Sequence, residues 1–356
     1  MSLVRASRAL LCLLVVSSCT APPLHTAPTA STRFTAIPTA TSAGRTAGIA
    51  PIARVEGAAS TLLDGVALDG GALTFVFSGF DQKLHLGRIF PQGDLQDLPL
   101  AMGAQSSPWG LGLAVGSDGS RWIGLFRSIV RVGADNTVDE IAIPAARPPG
   151  LAAEAGRNGE VTAIAIDDDI LYLGRAGIPT LTRLERASGR TVGLALPSEM
   201  PDVGTIARGP GGDFFLAASH RGTRFAAEPT ARMRHSTGAL AALPFRGRPL
   251  AANSSWLAIA TPDARLFDAS LAEVRAPIPA ALFTLNAFDV LRDGEFVTVD
   301  TSDAAVLFYD VTGRLSRRAP LEVRALANGP ERAPQFVLAD GMAVWVVWGL
   351  DVFYVR

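Results

Sequence analysis

Short turns of Gly, Asp, Asn or Ser, each followed by an apolar run, recur along the chain. The seven occurrences are residues 68–77, 116–126, 166–174, 209–218, 253–260, 292–300 and 339–347. From Gly70 to Gly341 there are six intervals over 271 residues, a mean spacing of about 45 residues. A four-stranded propeller blade has this length, roughly 40–50 residues. The pattern therefore predicts seven such blades.

Each unit divides into four short apolar or alternating segments, as antiparallel strands would. A second turn, between the third and fourth segments, recurs at residues 91–94, 133–136, 187–190, 236–239, 268–271 and 311–314. The seventh unit ends at Arg356 with room for only three strands. We expect residues 49–57 to supply the missing strand, because closing the ring removes two open sheet edges. The prediction is an all-β, seven-bladed β-propeller of four-stranded antiparallel blades; a pair of β-sandwiches linked near residues 247–256 is the alternative.

The N-terminus has the features of an export signal. Arg5 and Arg8 precede an apolar run at residues 9–16, which is too short to span a bilayer. The following residues 16–19, VSSC, resemble the lipobox of bacterial lipoproteins, which implies lipidation of Cys19 and cleavage just before it. The alternative is an ordinary signal cleaved a few residues later. With Cys12 removed and Cys19 acylated, the mature chain has no thiol for a disulfide, catalysis or metal binding.

The segment after Cys19 is rich in Thr and Pro and has no acidic residue between positions 20 and 46. No apolar face can be drawn on it, so we expect a disordered tether. The predicted organisation is a signal peptide at 1–18, a lipidated cysteine with its tether at 19–48, and the propeller at 49–356. We expect an exported monomer anchored at the cell envelope, on its periplasmic or extracellular side.

Residues 112–144 resemble the repeat of streptogramin B lyase and of related NHL-like propellers. The matching positions are Gly112, Ala114, Gly116, Asp118, Gly119 and Trp122, with a looser match at 204–219. The resemblance implies a propeller and, for the lyase itself, His and Glu side chains with Mg²⁺ on one face. The repeat's glutamate falls at Leu125 and Ala218; among the seven units only the sixth has an acid there, Asp300. Asp300 is therefore one catalytic candidate. His220 matches no position of the lyase motif, but it lies in a loop beside Arg221, where it could act as a base toward a bound ligand, and it is the other candidate.

The loops between second and third strands share one face of a propeller, around the central channel. They contain these candidate ligand-binding residues: Asp81, Arg127, Arg175, Arg221, Arg224, Asp263, Asp303 and Trp348. Guanidinium groups suit carboxylate and phosphate ligands. The alternative is that these loops are polar because they are solvated, and that their charges pair with one another.

Composition limits the partners. The chain has 32 basic and 33 acidic residues and a net charge of −1, so it has no electrostatic attraction to nucleic acid or to acidic membranes. The leading hypothesis is a non-catalytic module that binds a protein or a small anionic or polar ligand, without cofactor or metal, and meets the membrane through Cys19. The alternative is a lyase or lactone hydrolase with Mg²⁺ or Ca²⁺ on the loop face.

Overall fold

The computed structural model of the protein describes residues 35–36, 48–56, 58–59, 63–103, 112–143, 159–219, 228–247, 250–261, 263–274, 287–323 and 334–356. Within these ranges the regular structure is β-strand, apart from one 3-10 turn at Pro210–Gly212. No helix in the same ranges is long and apolar enough to cross a membrane.

Two short strands come first, β1 (Thr35–Ala36) and β2 (Ala53–Arg54). Blade one consists of β3 (Gly65–Asp69), β4 (Ala72–Ser78), β5 (Lys83–Ile89) and β6 (Leu95–Gly103). Blade two consists of β7 (Leu113–Val115), β8 (Arg121–Gly124), β9 (Ser128–Val132) and β10 (Val138–Ala142). Blade three consists of β11 (Val161–Asp167), β12 (Ile170–Arg175), β13 (Thr180–Glu185) and β14 (Thr191–Ala195).

Blade four consists of β15 (Thr205–Arg208), β16 (Phe214–Ala217), β17 (Pro229–Met233) and β18 (Leu240–Arg246), and blade five of β19 (Leu250–Ala252), β20 (Leu257–Thr261) and β21 (Asp263–Phe267). Blade six consists of β22 (Phe288–Val290), β23 (Phe296–Asp300), β24 (Ala305–Tyr309) and β25 (Leu315–Pro320). Blade seven contains β26 (Pro334–Asp340), β27 (Ala343–Trp348) and β28 (Asp351–Val355). All pairings within these sheets are antiparallel, as predicted.

The blades form one closed ring. The first strand of each blade contacts the first strand of the next, from β3 through β7, β11, β15, β19 and β22 to β26, and β26 contacts β3. Seven clusters of buried apolar side chains lie between the blades, one at each interface. Trp122 and Trp345 are fully buried in two of them. The seven-bladed propeller is confirmed, and the pair of β-sandwiches is wrong.

The turns lie at the predicted positions. In blade two, Gly119 adopts a left-handed φ of 73° between β7 and β8, and the N–H of Gly116 donates to the carbonyl of Ser120. An L side chain disfavours this φ, which explains the Asp-Gly pair of the repeat. In blade two the repeat thus encodes a hairpin turn.

The N-terminal segment closes the ring, as predicted. Ala53 pairs with Val352 and Arg54 with Asp351, so that β2 is the fourth strand of blade seven. The Arg54 Nη1 lies 2.8 Å from the buried Asp351 Oδ1. Strand β1 adds a fifth strand by pairing with β2, so Thr35–Ala36 is an exception to the predicted disordered tether. The export signal, Cys19 and the rest of that segment lie outside the described residues.

Blade five departs from the four-stranded pattern within the described residues. Its sheet has three strands, and the position of a fourth begins as a single bridge between Phe267 and Glu273. The N–H of Val274 donates to the carbonyl of Leu266 at 3.0 Å.

Candidate functional site

The topology gives the propeller two different faces. The turns between second and third strands, with the connections between blades, form one face, which we call the loop face. The turns between first and second and between third and fourth strands form the other, which we call the hairpin face. The residues predicted from the loops belong to the loop face. Of these, His220, Arg221 and Arg224 lie outside the described residues, and Asp263 is the first residue of β21.

Asp300 stands in a structural turn at the end of β23. Its Oδ1 accepts hydrogen bonds from the Ser302 Oγ at 2.6 Å and from the Ser302 N–H at 2.9 Å. The hydroxyl hydrogen bond lowers the pKa of Asp300. The same Asp-x-Ser/Thr arrangement recurs in four other turns, at Asp118, Asp135, Asp268 and Asp310. At neutral pH Asp300 is an ionised carboxylate that holds a loop, which makes it a weak base.

Several predicted charges of the loop face are engaged by other side chains. The Arg318 Nη2 lies 2.7 Å from the Asp303 Oδ2, and both side chains are largely exposed. Trp348 is buried in the core between blades six and seven, so its ring is not an accessible platform. Arg127 is exposed and lies 5.2 Å from the centre of the Phe126 ring. Among the cations that we predicted for this face, Arg127 is thus the one that is exposed in the described part of the chain.

Three buried acids on the loop face escaped sequence analysis. Asp64 and Glu160 stand directly before the first strands of blades one and three, and Asp202 stands shortly before that of blade four. Their relative exposures are 7%, 6% and 1%. Acids at these positions belong to the connections between blades, whereas the prediction considered the loops within blades. An acid repeated just before an innermost strand is the sequence signal that could have found them.

Asp64 is an acid of this face whose protonation is strongly changed by its surroundings. Its Oδ2 accepts a hydrogen bond from the Ser78 Oγ at 3.2 Å, and burial raises its pKa to about 6. A carboxyl group with a pKa near 6 exchanges a proton within about one pH unit of neutrality, which is the property of a general acid or base.

Asp202 ties together two neighbouring loops of blades three and four. Its Oδ2 accepts the Gly177 N–H at 2.8 Å and its Oδ1 accepts the Ser219 N–H at 2.9 Å. Beside it, the Arg175 Nε donates to the carbonyl of Gly159 at 2.9 Å, and burial lowers the pKa of this guanidinium. These contacts hold Gly177, Ser219 and the connection between blades three and four in fixed positions relative to one another.

A hydrogen-bonded array of two carboxylates and an imidazole lies in blade one. The His85 Nε2 is 3.0 Å from the Asp81 Oδ1, and the His85 Nδ1 is 3.0 and 3.2 Å from the two Asp97 oxygens. The contact with His85 lowers the pKa of Asp81, whereas burial raises that of Asp97. The sequence pattern assigns His85 no partner, because its pairing with Asp97 depends on the register of β5 and β6.

A groove of about 410 Å³ opens between blades two and three on the hairpin face. Its lining residues are Trp122, Arg131, Asp139, Ile141, Asp169, Arg186 and Ala187. The Arg186 guanidinium lies 5.2 Å from the Trp122 ring centre and also pairs with Asp118. The lining residues include two arginines and two aspartates, so their formal charges cancel.

The described residues do not supply a metal site. Among them, no three His, Cys, Asp or Glu side chains converge in a way that could hold a metal ion. The Mg²⁺ that the lyase resemblance implies therefore finds no ligand set in this part of the chain.

The chain has the fold of a seven-bladed β-propeller, a fold that is also found in streptogramin lyases. No family model and no curated protein matches the chain. Among solved structures, a streptogramin B lyase is 13% identical with a TM-score of 0.59 over 83% of this chain and 94% of that chain. The virginiamycin B lyase from Staphylococcus aureus is 14% identical with a TM-score of 0.58 over the same shares. The extracellular domain of the one-component system BT4673 from B. thetaiotaomicron is 13% identical with a TM-score of 0.55, over 87% of this chain and 40% of that chain. Identities this low show a common fold and not a common activity.

Proposed function

We propose that the protein is an exported propeller, lipid-anchored through Cys19, that binds a protein or polar ligand on its loop face without catalysis. The observation that carries the proposal is the bridge made by Asp202 between the Gly177 and Ser219 amides. It fixes Gly177, in a loop of blade three, relative to Ser219, which follows β16 of blade four, and such preorganisation lowers the entropic cost of binding. The acid expected for lyase chemistry, Asp300, is held in a turn.

Export rests on the leader and is consistent with the comparison. The apolar run of the leader is followed by a lipobox-like VSSC, and the BT4673 domain of similar fold is extracellular. Mass spectrometry of the mature N-terminus tests the anchor. A diacylated Cys19 supports it, and an unmodified N-terminus beyond Cys19 contradicts it; Cys19→Ser should release the protein from membranes.

The binding hypothesis is tested by reversing charge on one face at a time. Arg127→Glu alters the exposed cation of the loop face, and Arg190→Glu alters an exposed cation of the hairpin face as the matched control. Each variant is crosslinked in the producing cells and its adducts are identified by mass spectrometry. We expect the Arg127 variant alone to lose its adduct. Equal loss in both variants, or none in either, would contradict a loop-face site.

A lyase or lactone hydrolase, with Mg²⁺ or Ca²⁺, is the second candidate, and the buried Asp64 is the observation that favours it. With a pKa of about 6, this carboxyl is a competent base at neutral pH. The test follows ring opening of cyclic depsipeptides and lactones by mass spectrometry, with and without each ion. Turnover that disappears in Asp64→Asn but persists in Asp300→Asn would establish an enzyme and overturn the non-catalytic proposal.

A further inference from the structure

Blade one contains an imidazole whose two nitrogens both face carboxylate oxygens. The His85 Nδ1 meets Asp97 at 3.0 and 3.2 Å, and the Nε2 meets Asp81 at 3.0 Å. A carboxylate only accepts hydrogen bonds, and a neutral imidazole has a single N–H. The imidazolium form, which donates from both nitrogens, is therefore the form that satisfies all of these contacts at once.

The two sides of this array differ in rigidity. His85 is 2% exposed and stacks on Phe77, with ring centroids 4.9 Å apart. Asp97 lies on β6, within the blade. Asp81 lies in the turn between β4 and β5, with its side chain 35% exposed, and it also accepts the Lys83 N–H at 3.1 Å. Asp97 is held by the pairing of β6 with β5, whereas Asp81 lies in a short turn, so we expect the Asp81 contact to break first.

The turn has an unusual surface. Phe80, next to Asp81, is 68% exposed, the highest value among the exposed large apolar residues in the described part of the chain. Gly79 makes the close approach of Asp81 to His85 sterically feasible, because a Cβ at this position would lie 2.6 Å from both the Asp81 Oδ1 and the His85 Nε2.

We propose that Asp81, His85 and Asp97 form a proton-dependent latch that fixes the turn at residues 79–82, and with it Phe80, on the loop face. When the imidazole loses its proton, its remaining N–H stays on Nδ1 with the two oxygens of Asp97. The bare Nε2 then faces the Asp81 carboxylate, the two lone pairs repel, and the turn is released. Among the described residues, the charged groups around the His85 imidazole are the carboxylates of Asp81 and Asp97 and, next to Asp81, the ammonium group of Lys83.

The test is nuclear magnetic resonance of the full chain labelled with ¹⁵N at histidine, which has only four such residues. We expect both His85 nitrogens to be protonated at low pH, and Nδ1 alone at high pH. As the pH rises, hydrogen exchange of the amides of residues 79–83, corrected for intrinsic rates, should accelerate about tenfold or more, because a charge-assisted hydrogen bond is lost. The midpoint of this change should coincide with the pH at which His85 Nε2 loses its proton.

Variants separate the latch from a purely structural role. Gly79→Ala keeps all three ionisable groups but pushes them apart, so the turn should exchange rapidly at every pH. His235→Gln is the control, because the His235 imidazole contacts Asp167 on the hairpin face and its replacement should leave the turn unchanged. A turn whose protection stays constant while wild-type His85 titrates would overturn the proposal. So would a pH-dependent turn that persists in His85→Gln.

Discussion

The hairpin face and the loop face use acidic residues differently. On the hairpin face, Asp118, Asp135 and Asp310 cap tight turns, and hydroxyl and amide donors lower their pKa values. On the loop face, Asp64 is buried and its pKa is raised to about 6. Turn capping stabilises an ionised carboxylate, whereas burial destabilises it. The turn-capping acids of the first face therefore stay ionised at neutral pH, whereas Asp64 on the second face exchanges a proton near neutral pH.

Some acids depart from this contrast between the faces. Asp81 and Asp300 lie on the loop face but have lowered pKa values because each accepts hydrogen bonds within its own turn. Asp289 lies in the middle of the innermost strand β22, where its oxygens accept the N–H groups of Val290 and, from blade seven, Ala339 at 2.8 Å each. Burial raises the pKa of Asp289 to about 7. What decides the pKa is thus the local environment, turn or buried wall, and not the face alone.

The largest effect on the free energy of unfolding is expected at a buried ion pair of the hairpin face. Asp69 and Arg121 are both buried, and the Asp69 Oδ2 accepts from Arg121 at 2.8 and 3.0 Å. Asp69→Ala leaves a buried guanidinium without its carboxylate and should lower the free energy of unfolding by about 3–5 kcal/mol. Urea unfolding measures the change. Asp139→Ala, which removes an exposed carboxylate 3.6 Å from Arg131, is the control, with a change within about 0.5 kcal/mol.

The next effect concerns pH and distinguishes burial from turn capping. The pKa of Asp64 is raised in the folded state, so its stabilising contribution is full below about pH 4 and is lost as pH rises through about 6. Asp64→Asn should therefore gain up to about 3 kcal/mol in unfolding free energy relative to wild type between pH 4 and pH 7.

The matched control for Asp64→Asn is Asp300→Asn. The pKa of Asp300 is lowered in the folded state, so its contribution is present above its unfolded pKa and is lost as pH falls. When urea unfolding is repeated from about pH 2 to pH 7, the two variants should show opposite slopes relative to wild type: Asp300→Asn loses stability as the pH rises to about 4 and is then flat, whereas Asp64→Asn gains stability above about pH 4. Slopes of the same sign would break the comparison between buried and turn-capping acids.

A smaller effect separates the cap from the charge in one hairpin turn. Asp118 accepts the Ser120 hydroxyl at 2.6 Å and faces Arg186 at 2.5 Å, with its side chain 44% exposed. Asp118→Ala should cost about 1 kcal/mol by removing both interactions. Asp118→Asn keeps an acceptor for the turn, so it should cost less, and the salt dependence of unfolding should weaken in both variants. Equal losses would mean that the cap contributes nothing.

The smallest effect is expected for the exposed pair of the loop face. Arg318→Ala removes a guanidinium from Asp303 where both side chains are largely exposed. Thermal unfolding should shift by no more than about 0.5 kcal/mol in free energy. A larger loss would show that loop-face pairs also stabilise the fold, which would weaken the contrast between the two faces.

The repeat made the fold predictable from the order of residues alone. A turn residue such as Gly119 and the apolar run after it specify a hairpin locally, and a spacing of about 45 residues fits one blade. The closing strand also followed from counting, since the seventh unit lacked one strand and Ala53–Arg54 supplies it. Exposure near the loops was not predictable in this way, because Trp348, which we expected in a loop, is the last residue of β27 and is buried in the core.

The sequence by itself determined the number of blades, the positions of the turns and the closure of the ring, because these depend on short-range patterns repeated seven times. Only the tertiary structure decided which carboxylates are buried, and so which have raised pKa values. The partners that bury or pair them are distant in the sequence: Asp69 meets Arg121 of the next blade at a separation of 52 residues, and Asp351 meets Arg54 of the closing strand at 297. Periodicity fixes where a residue lies within its blade, but desolvation depends on what the adjacent blade places against it.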